Sequence, residues 1–164
     1  MEDIMALAAT WSVWDIESFL RLFLATVCGA ALGWERERQS KPAGLRTHMM
    51  VSLGAATFVV AGLHYAESLG QTEPSWVQAD LFRIVSGVIG GVGFLGAGSI
   101  IESRGDVRGL TTAASIWVAA ATGIACGMGY YGLSMMAVVL AMVTLMVVGA
   151  FERLYFSDNN QRET

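Results

Sequence analysis

Long apolar runs separated by short charged clusters organise this sequence. Residues 47–66, 84–101 and 109–151 contain no Asp, Glu, Lys or Arg, and residues 22–34 form a shorter run of the same kind. A helix needs about 20 predominantly apolar residues to cross about 30 Å of hydrocarbon. The first run reaches that length if its helix begins near Glu17 and Arg21 snorkels. The last run is long enough for two spans, and GMGYYG at residues 127–132 supplies the turn between them, with tyrosines suited to an interface. The pattern predicts an all-α integral membrane protein, a five-transmembrane-helix bundle with spans at about residues 16–34, 45–66, 83–101, 110–127 and 131–151. Residues 1–15 are the expected extracytoplasmic head and 152–164 the cytoplasmic tail.

The loops set the expected orientation, because Lys and Arg near span ends are retained on the cytoplasmic side. The first loop carries Arg36, Arg38, Lys41 and Arg46, the third carries Arg104 and Arg108, and the tail carries Arg153 and Arg162. The head and the loop at residues 67–82 hold no basic residue. This places the amino terminus outside and the carboxyl terminus in the cytoplasm of a multi-pass protein. Arg21 and Arg83 lie at the outer ends of the first and third spans, each about one helical turn after an acidic residue, Glu17 or Asp80. Local pairing with outward snorkelling is the simpler reading. The alternative turns them inward, in an intramembrane polar site with Ser115 and Thr122.

Composition agrees with lipid as the solvent: 54% of the chain is hydrophobic and 15% charged. The net charge of -4 says little about partners, because the charges are clustered between spans, and no feature suggests nucleic acid. The first fifteen residues lack Lys and Arg but contain Glu2, Asp3 and Asp15, unlike a secretory leader, so the first hydrophobic segment reads as a retained span. Cys28 and Cys126 lie within apolar segments, where a thiol packs as a small hydrophobe and no disulfide framework is implied.

Glycine is concentrated in the third span, at Gly87, Gly90, Gly91, Gly93, Gly96 and Gly98. The GxGxxG at residues 91–96 lacks the strand and soluble crossover of a dinucleotide site, which excludes that reading. Close helix packing is the first explanation, since Gly87 and Gly91 are spaced as GxxxG, like Gly29 and Gly33 or Gly123 and Gly127. A broken helix lining a polar cavity is the second. Either explanation puts this span at the centre of the bundle. In the fourth span Thr111, Ser115, Thr122 and Cys126 share one helical face, and in the first Arg21, Cys28 and Glu35 are in heptad register.

The charged loops are candidates for chemistry. Glu35, Arg36, Glu37 and Arg38 alternate in sign before a Pro and Gly turn, and a second mixed cluster holds Glu102, Arg104, Asp106 and Arg108. Balanced charges suggest that the clusters pair with each other. Glu35, Glu37, Glu102 and Asp106 are weak candidate ligands for a divalent cation, against which the neighbouring arginines argue. No other cofactor is expected. His48 and His64 fall at opposite ends of the second span and cannot share a metal, and no catalytic constellation is present.

GWERERQSKPAGLRTH from Gly33, GVGFLGAGSI from Gly91 and GLTTAASIWVAAATGIACG from Gly109 resemble the MgtC/SapB membrane proteins. The resemblance runs from about Arg21 to Gly129. It marks Glu35, Arg36, Glu37, Ala43, Gly44, Leu45, Arg46, Gly93, Phe94, Gly96, Ala97, Gly98, Gly109, Thr111, Thr112 and Ala113 as motif positions, without a mechanism for any. It implies a bacterial inner-membrane protein associated with adaptation to magnesium limitation and, in pathogenic members, restraint of the proton-translocating ATP synthase. The chain is expected to be a short form without the soluble carboxyl-terminal domain of the best-known members. Three function classes follow: a membrane regulator of ion or membrane-energy homeostasis acting on its own copies or on a partner such as an ATP synthase or transporter; a small-ion transporter or channel for a divalent cation or protons using the third span; and a structural scaffold. Homo-oligomers are expected from the GxxxG pairs. The motif segments of the AGLR turn, the end of the third span and the GLTT start are expected to converge on one membrane face.

Overall fold

The computed structural model describes residues 13–68, 74–103 and 106–156. Most of the expected head and tail therefore lies outside the described residues. The elements run α1 (Val13–Arg38), α2 (Leu45–Ser68), α3 (Pro74–Ser99), a hairpin of β1 (Ile101–Ser103) and β2 (Asp106–Arg108), α4 (Leu110–Gly127), α5 (Tyr131–Val143), a π-helical turn (Thr144–Val148) and α6 (Gly149–Phe156). Five stretches are long and apolar enough to cross a membrane: Asp15–Arg38, Leu45–Ser68, Leu81–Ser99, Leu110–Gly127 and Tyr131–Phe151. The protein is thus helical and multi-pass. In lipid each backbone polar group needs an internal partner, which a helix supplies within its own segment.

Small residues determine how the helices meet. A Cβ added at Gly29 would lie 2.5 Å from the His48 carbonyl oxygen, and one at Gly33 would lie 2.7 Å from Leu45 Cα. Both positions press α1 directly onto the α2 backbone. Further along α2, a Cβ at Gly123 would fall 2.2 Å from the Ser52 carbonyl oxygen, and one at Gly127 would fall 2.9 Å from the Ala56 carbonyl oxygen. The fully buried Ala25, Ala56 and Ala119 extend this small-residue core, and Ser52 Oγ donates to the Ala25 carbonyl at 2.7 Å across the α1–α2 seam. Helix α2 is consequently held against both α1 and α4 by backbone proximity.

The glycine-rich third span is not at the centre. Only 11% of its spanning segment is buried, against 56% for α4, which is the true core helix. Nothing lies within 4 Å of a Cβ built at Gly87, Gly90, Gly91, Gly93 or Gly98, and only Gly96 meets a neighbour, at 3.6 Å from Ala113 Cβ. Nor is the span broken: α3 continues from Pro74 to Ser99, beginning well before the expected start at residue 83. Glycine spacing reports that a close approach is allowed, not which helix makes it. Beside this open face an apolar groove of about 690 Å³ runs between α2 and α3, lined by Gly54, Phe58, Gly87 and Gly91 among others.

The turn after α4 follows the expected sequence signal, with Gly129 at φ 81°. Arg21 reaches it from α1, donating from Nη1 to the Gly127 carbonyl at 2.8 Å while pairing with Glu17. A cation at a helix C-terminus meets carbonyls that have no intrahelical donor. Arg21 therefore does both things weighed from sequence: it pairs locally, and it turns toward the bundle. Arg83 lies on the exposed side of α3, so it shares no site with Arg21, Ser115 and Thr122; the Asp80 side chain lies outside the described residues.

These contacts separate the glycines by consequence. Gly123→Ala should destabilise the bundle by about 1–3 kcal/mol through overpacking against Ser52. Gly90→Ala, facing open space, should leave stability unchanged or raise it by up to about 1 kcal/mol. Reversible unfolding in mixed micelles measures both, and equal losses would contradict this packing.

Candidate functional site at the basic-loop end

The last turns of α1 are arranged opposite to a soluble helix end. Trp34 is 63% exposed, whereas Glu35 and Arg36 are each only 3% exposed. An aromatic ring suits the membrane interface, so the charged neighbours turn to the protein side. Glu35 sits in place with Oε1 accepting from Gln39 Nε2 at 2.6 Å and Oε2 3.3 Å from Arg38 Nε. In the second cluster Arg108 Nε likewise pairs with Asp106 at 2.7 Å. Among the described residues the ion pairs of the two clusters are local, and none joins one cluster to the other.

Glu37 joins α1 to α2. Its Oε2 accepts from the Leu45 backbone N–H at 3.0 Å, placing a carboxylate at the α2 N-terminus, where donors lack intrahelical acceptors. Gly44 makes room for it, since a Cβ there would fall 1.8 Å from the same oxygen. The Gly44 carbonyl then accepts both from the His48 backbone N–H at 3.2 Å and from His48 Nδ1 at 2.8 Å. One motif glycine thus permits the cap and orients a histidine.

His48 is fully buried, with its Nε2 3.0 Å from Ser115 Oγ on α4. Because a carbonyl only accepts, Nδ1 carries the proton, and Nε2 of the neutral ring is an acceptor. The single Ser115 proton can then go to Nε2 or to the Thr112 carbonyl at 2.8 Å. Beside it, Arg36 Nη2 donates to Thr112 Oγ1 at 2.5 Å, tying α1 to the first turn of α4. Arg36 Nε is buried without a hydrogen-bond partner. At the start of α4, Gly109 adopts φ 91°, and a Cβ there would lie 2.0 Å from the Ser99 carbonyl oxygen, so the end of α3 arrives at the same place.

Of the sequence-marked residues, Glu35, Arg36, Glu37, Gly44, Gly109 and Thr112 gather at this end, with Gly96 packed nearby on Ala113. Gly93, Phe94 and Gly98 instead lie on the open face of α3, and Arg46 and Thr111 are exposed. On α4 the buried polar face runs through Thr112, Ser115, Thr122 and Cys126, with Thr112 in the place expected for Thr111. The four acidic candidates for a cation do not meet: Glu35 and Glu37 are committed to the contacts above, Glu102 is exposed on the hairpin, and Asp106 is paired with Arg108. Among the described residues no three His, Cys, Asp or Glu side chains form a metal-binding group.

Sequence reading missed the pairing of His48 with Ser115, since residues so far apart carry no periodic relation. It also missed a second buried cluster. Ser134 Oγ lies 3.2 Å from Cys126 Sγ and 3.4 Å from Cys28 Sγ, joining α1, α4 and α5. His64 meets Ser18 at 2.7 Å near the other end of the bundle.

The profile of the MgtC family matches residues 22–154, which include every element of this site. The chain belongs to the MgtC family. It is 40% identical over 146 residues to the protein named "Putative magnesium transporter YhiD" of Escherichia coli K12, covering 88% of this chain and 65% of that one. It is 39% identical over 142 residues to SrpB of Synechococcus elongatus, covering 82% of this chain and 74% of the relative. With MgtC of Brucella abortus it shares 41% identity over 105 residues, 64% of this chain and 40% of that protein. The chain thus spans just under two thirds of YhiD and a smaller part of MgtC. No solved structure matches it.

The Glu37 cap makes a sharp prediction for this MgtC-family chain. Gly44→Ala should displace the Glu37 carboxylate and destabilise by about 1 kcal/mol, the usual cost of losing a cap. In a Glu37→Ala background the same change should cost much less. A double-mutant cycle measured by unfolding checks this, with strict additivity as the contrary result.

Proposed function

We propose that this chain is a regulatory protein of the bacterial inner membrane, linked to magnesium limitation and to ion or membrane-energy homeostasis, and acting through helix contacts. Its basic loops favour a cytoplasmic location for the Arg36–His48 cluster, with the amino terminus outside. The magnesium link is supported by family membership and by the name given to the relative YhiD.

The open glycine face of α3 carries the regulatory reading. The GxxxG pairs of α1 and α4 are filled by the backbone of α2, whereas Gly87 and Gly91 have no neighbour within 4 Å. A face of this kind accepts another helix closely, either from a second copy or from a membrane protein such as an ATP synthase or transporter. The hydroxyls of α4 support the same reading. Thr122 donates to the Ala119 carbonyl at 2.8 Å, Ser115 has His48 and Thr112 as partners, and Thr112 has Arg36. These hydroxyls are thus occupied by carbonyls of their own helix and by side chains of α1 and α2.

Two measurements test the proposal. Gly87→Ile with Gly91→Ile should abolish association in the membrane, read by cross-linking or energy transfer between labelled copies and co-expressed partners, while unfolding stability stays within about 1 kcal/mol. In liposomes the protein should give no magnesium or proton flux above empty vesicles. Saturable flux would favour the transporter reading that YhiD's name suggests, and would overturn the regulatory one.

A further inference from the structure

We infer that the start of α4, floored by Arg36, is a binding site for a phosphate-class oxyanion. This inference stands independently of the regulatory proposal.

Arg36 is a permanently charged group placed where its charge is uncompensated. It is 97% buried by complement of its 3% exposure, its Nη2 donates to neutral Thr112 Oγ1, and its Nε has no partner. Among the described residues it has no ion pair. The adjacent Glu35 is buried as well, but its oxygens serve Gln39 and Arg38. A buried guanidinium lacking an anion is costly, and the same geometry becomes favourable when an anion supplies the missing charge.

The second half of the site is the helix end that Arg36 reaches. Helix α4 is 18 residues long, and its N-cap is Gly109, which has no side chain to cap it. The first intrahelical-type bond into this turn is from the Ala113 N–H to the Gly109 carbonyl at 2.9 Å. Backbone donors of Leu110, Thr111 and Thr112 precede it and have no acceptor within the helix. The partial positive charge of the helix end adds to that of Arg36. Leu110 and Thr111 are exposed, while Thr112, which Arg36 reaches, is buried.

Backbone N–H groups at a helix start with a guanidinium beside them match the several acceptor oxygens of a tetrahedral phosphate better than a single halide. Such a group can come from free phosphate or from the headgroup of an anionic phospholipid at the interface. Thr112 ties Arg36 to this first turn through its hydroxyl.

The test uses the full chain purified in a phosphate-free maltoside detergent. Inorganic phosphate, titrated at constant ionic strength against chloride and acetate, should raise the melting temperature in a saturable way. Arg36→Met should weaken the response at least about tenfold, as loss of a charged hydrogen-bonding group would. Thr112→Ala should weaken it too, with Thr112→Ser restoring it, which keeps the idea testable if Arg36→Met does not fold. A response to phosphatidylglycerol but not to inorganic phosphate assigns the site to lipid headgroups and still supports it. No response to either source, an equal response in Arg36→Met, or acetate as effective as phosphate overturns it.

Discussion

The close approach of α2 to α1 and α4 is the constraint on which the rest of the structure depends. Gly29, Gly33, Gly123 and Gly127 each sit where a Cβ would enter the α2 backbone. Lipid tails are as apolar as leucine, so there is little hydrophobic gain in bringing such helices together. Stability has to come from dispersion at short range and from hydrogen bonds such as that of Ser52 to the Ala25 carbonyl. The polar contacts that join one helix to another at the basic-loop end, such as His48 with Ser115, depend on this spacing. With a larger residue at Gly33, beside Leu45 and His48, the Glu37 cap and the His48–Ser115 contact could not both form.

The same constraint explains why charged residues are inside and tryptophan is outside at the end of α1. Once α1 and α2 are locked in register, Glu35 and Arg36 are buried, with Arg36 reaching Thr112 of α4, while Trp34 is exposed. Burial would be prohibitive for isolated charges, and Glu35 is relieved by two local partners. Arg36 is relieved only partly, by Thr112. This imbalance distinguishes it from Arg21, which has both a carboxylate and the carbonyl end of α4.

Among the described residues Glu35, Glu37 and Asp106 serve as helix cap or local ion-pair partners, and no three His, Cys, Asp or Glu side chains form a metal-binding group. A family motif can therefore be architectural in detail and functional in consequence. Glu37 and Gly44 set the α1–α2 turn, Gly109 sets the α3–α4 passage, and between them they hold His48 and Arg36 against the start of α4. What is left uncommitted is the outer glycine face of α3 and the donor-rich start of α4.

Sequence by itself determined the number of membrane-length helices, because span length follows from bilayer thickness and runs without charge are local properties. It also located a turn within residues 127–132 and marked most of the residues that gather at the basic-loop end, through the alternating charges of Glu35 to Arg38 and through the motifs that resemble the MgtC/SapB proteins. Tertiary structure alone decided which helix is central. Gly87 and Gly91 have the same spacing as Gly123 and Gly127, yet one pair is open and the other is filled, because spacing along a helix carries no information about its neighbour. It also decided that Thr112, not Thr111, faces inward, that Cys28 and Cys126 meet at Ser134, and that His48 finds Ser115. Those contacts join residues distant in sequence, and they exist only because the helices come close enough for short side chains to touch.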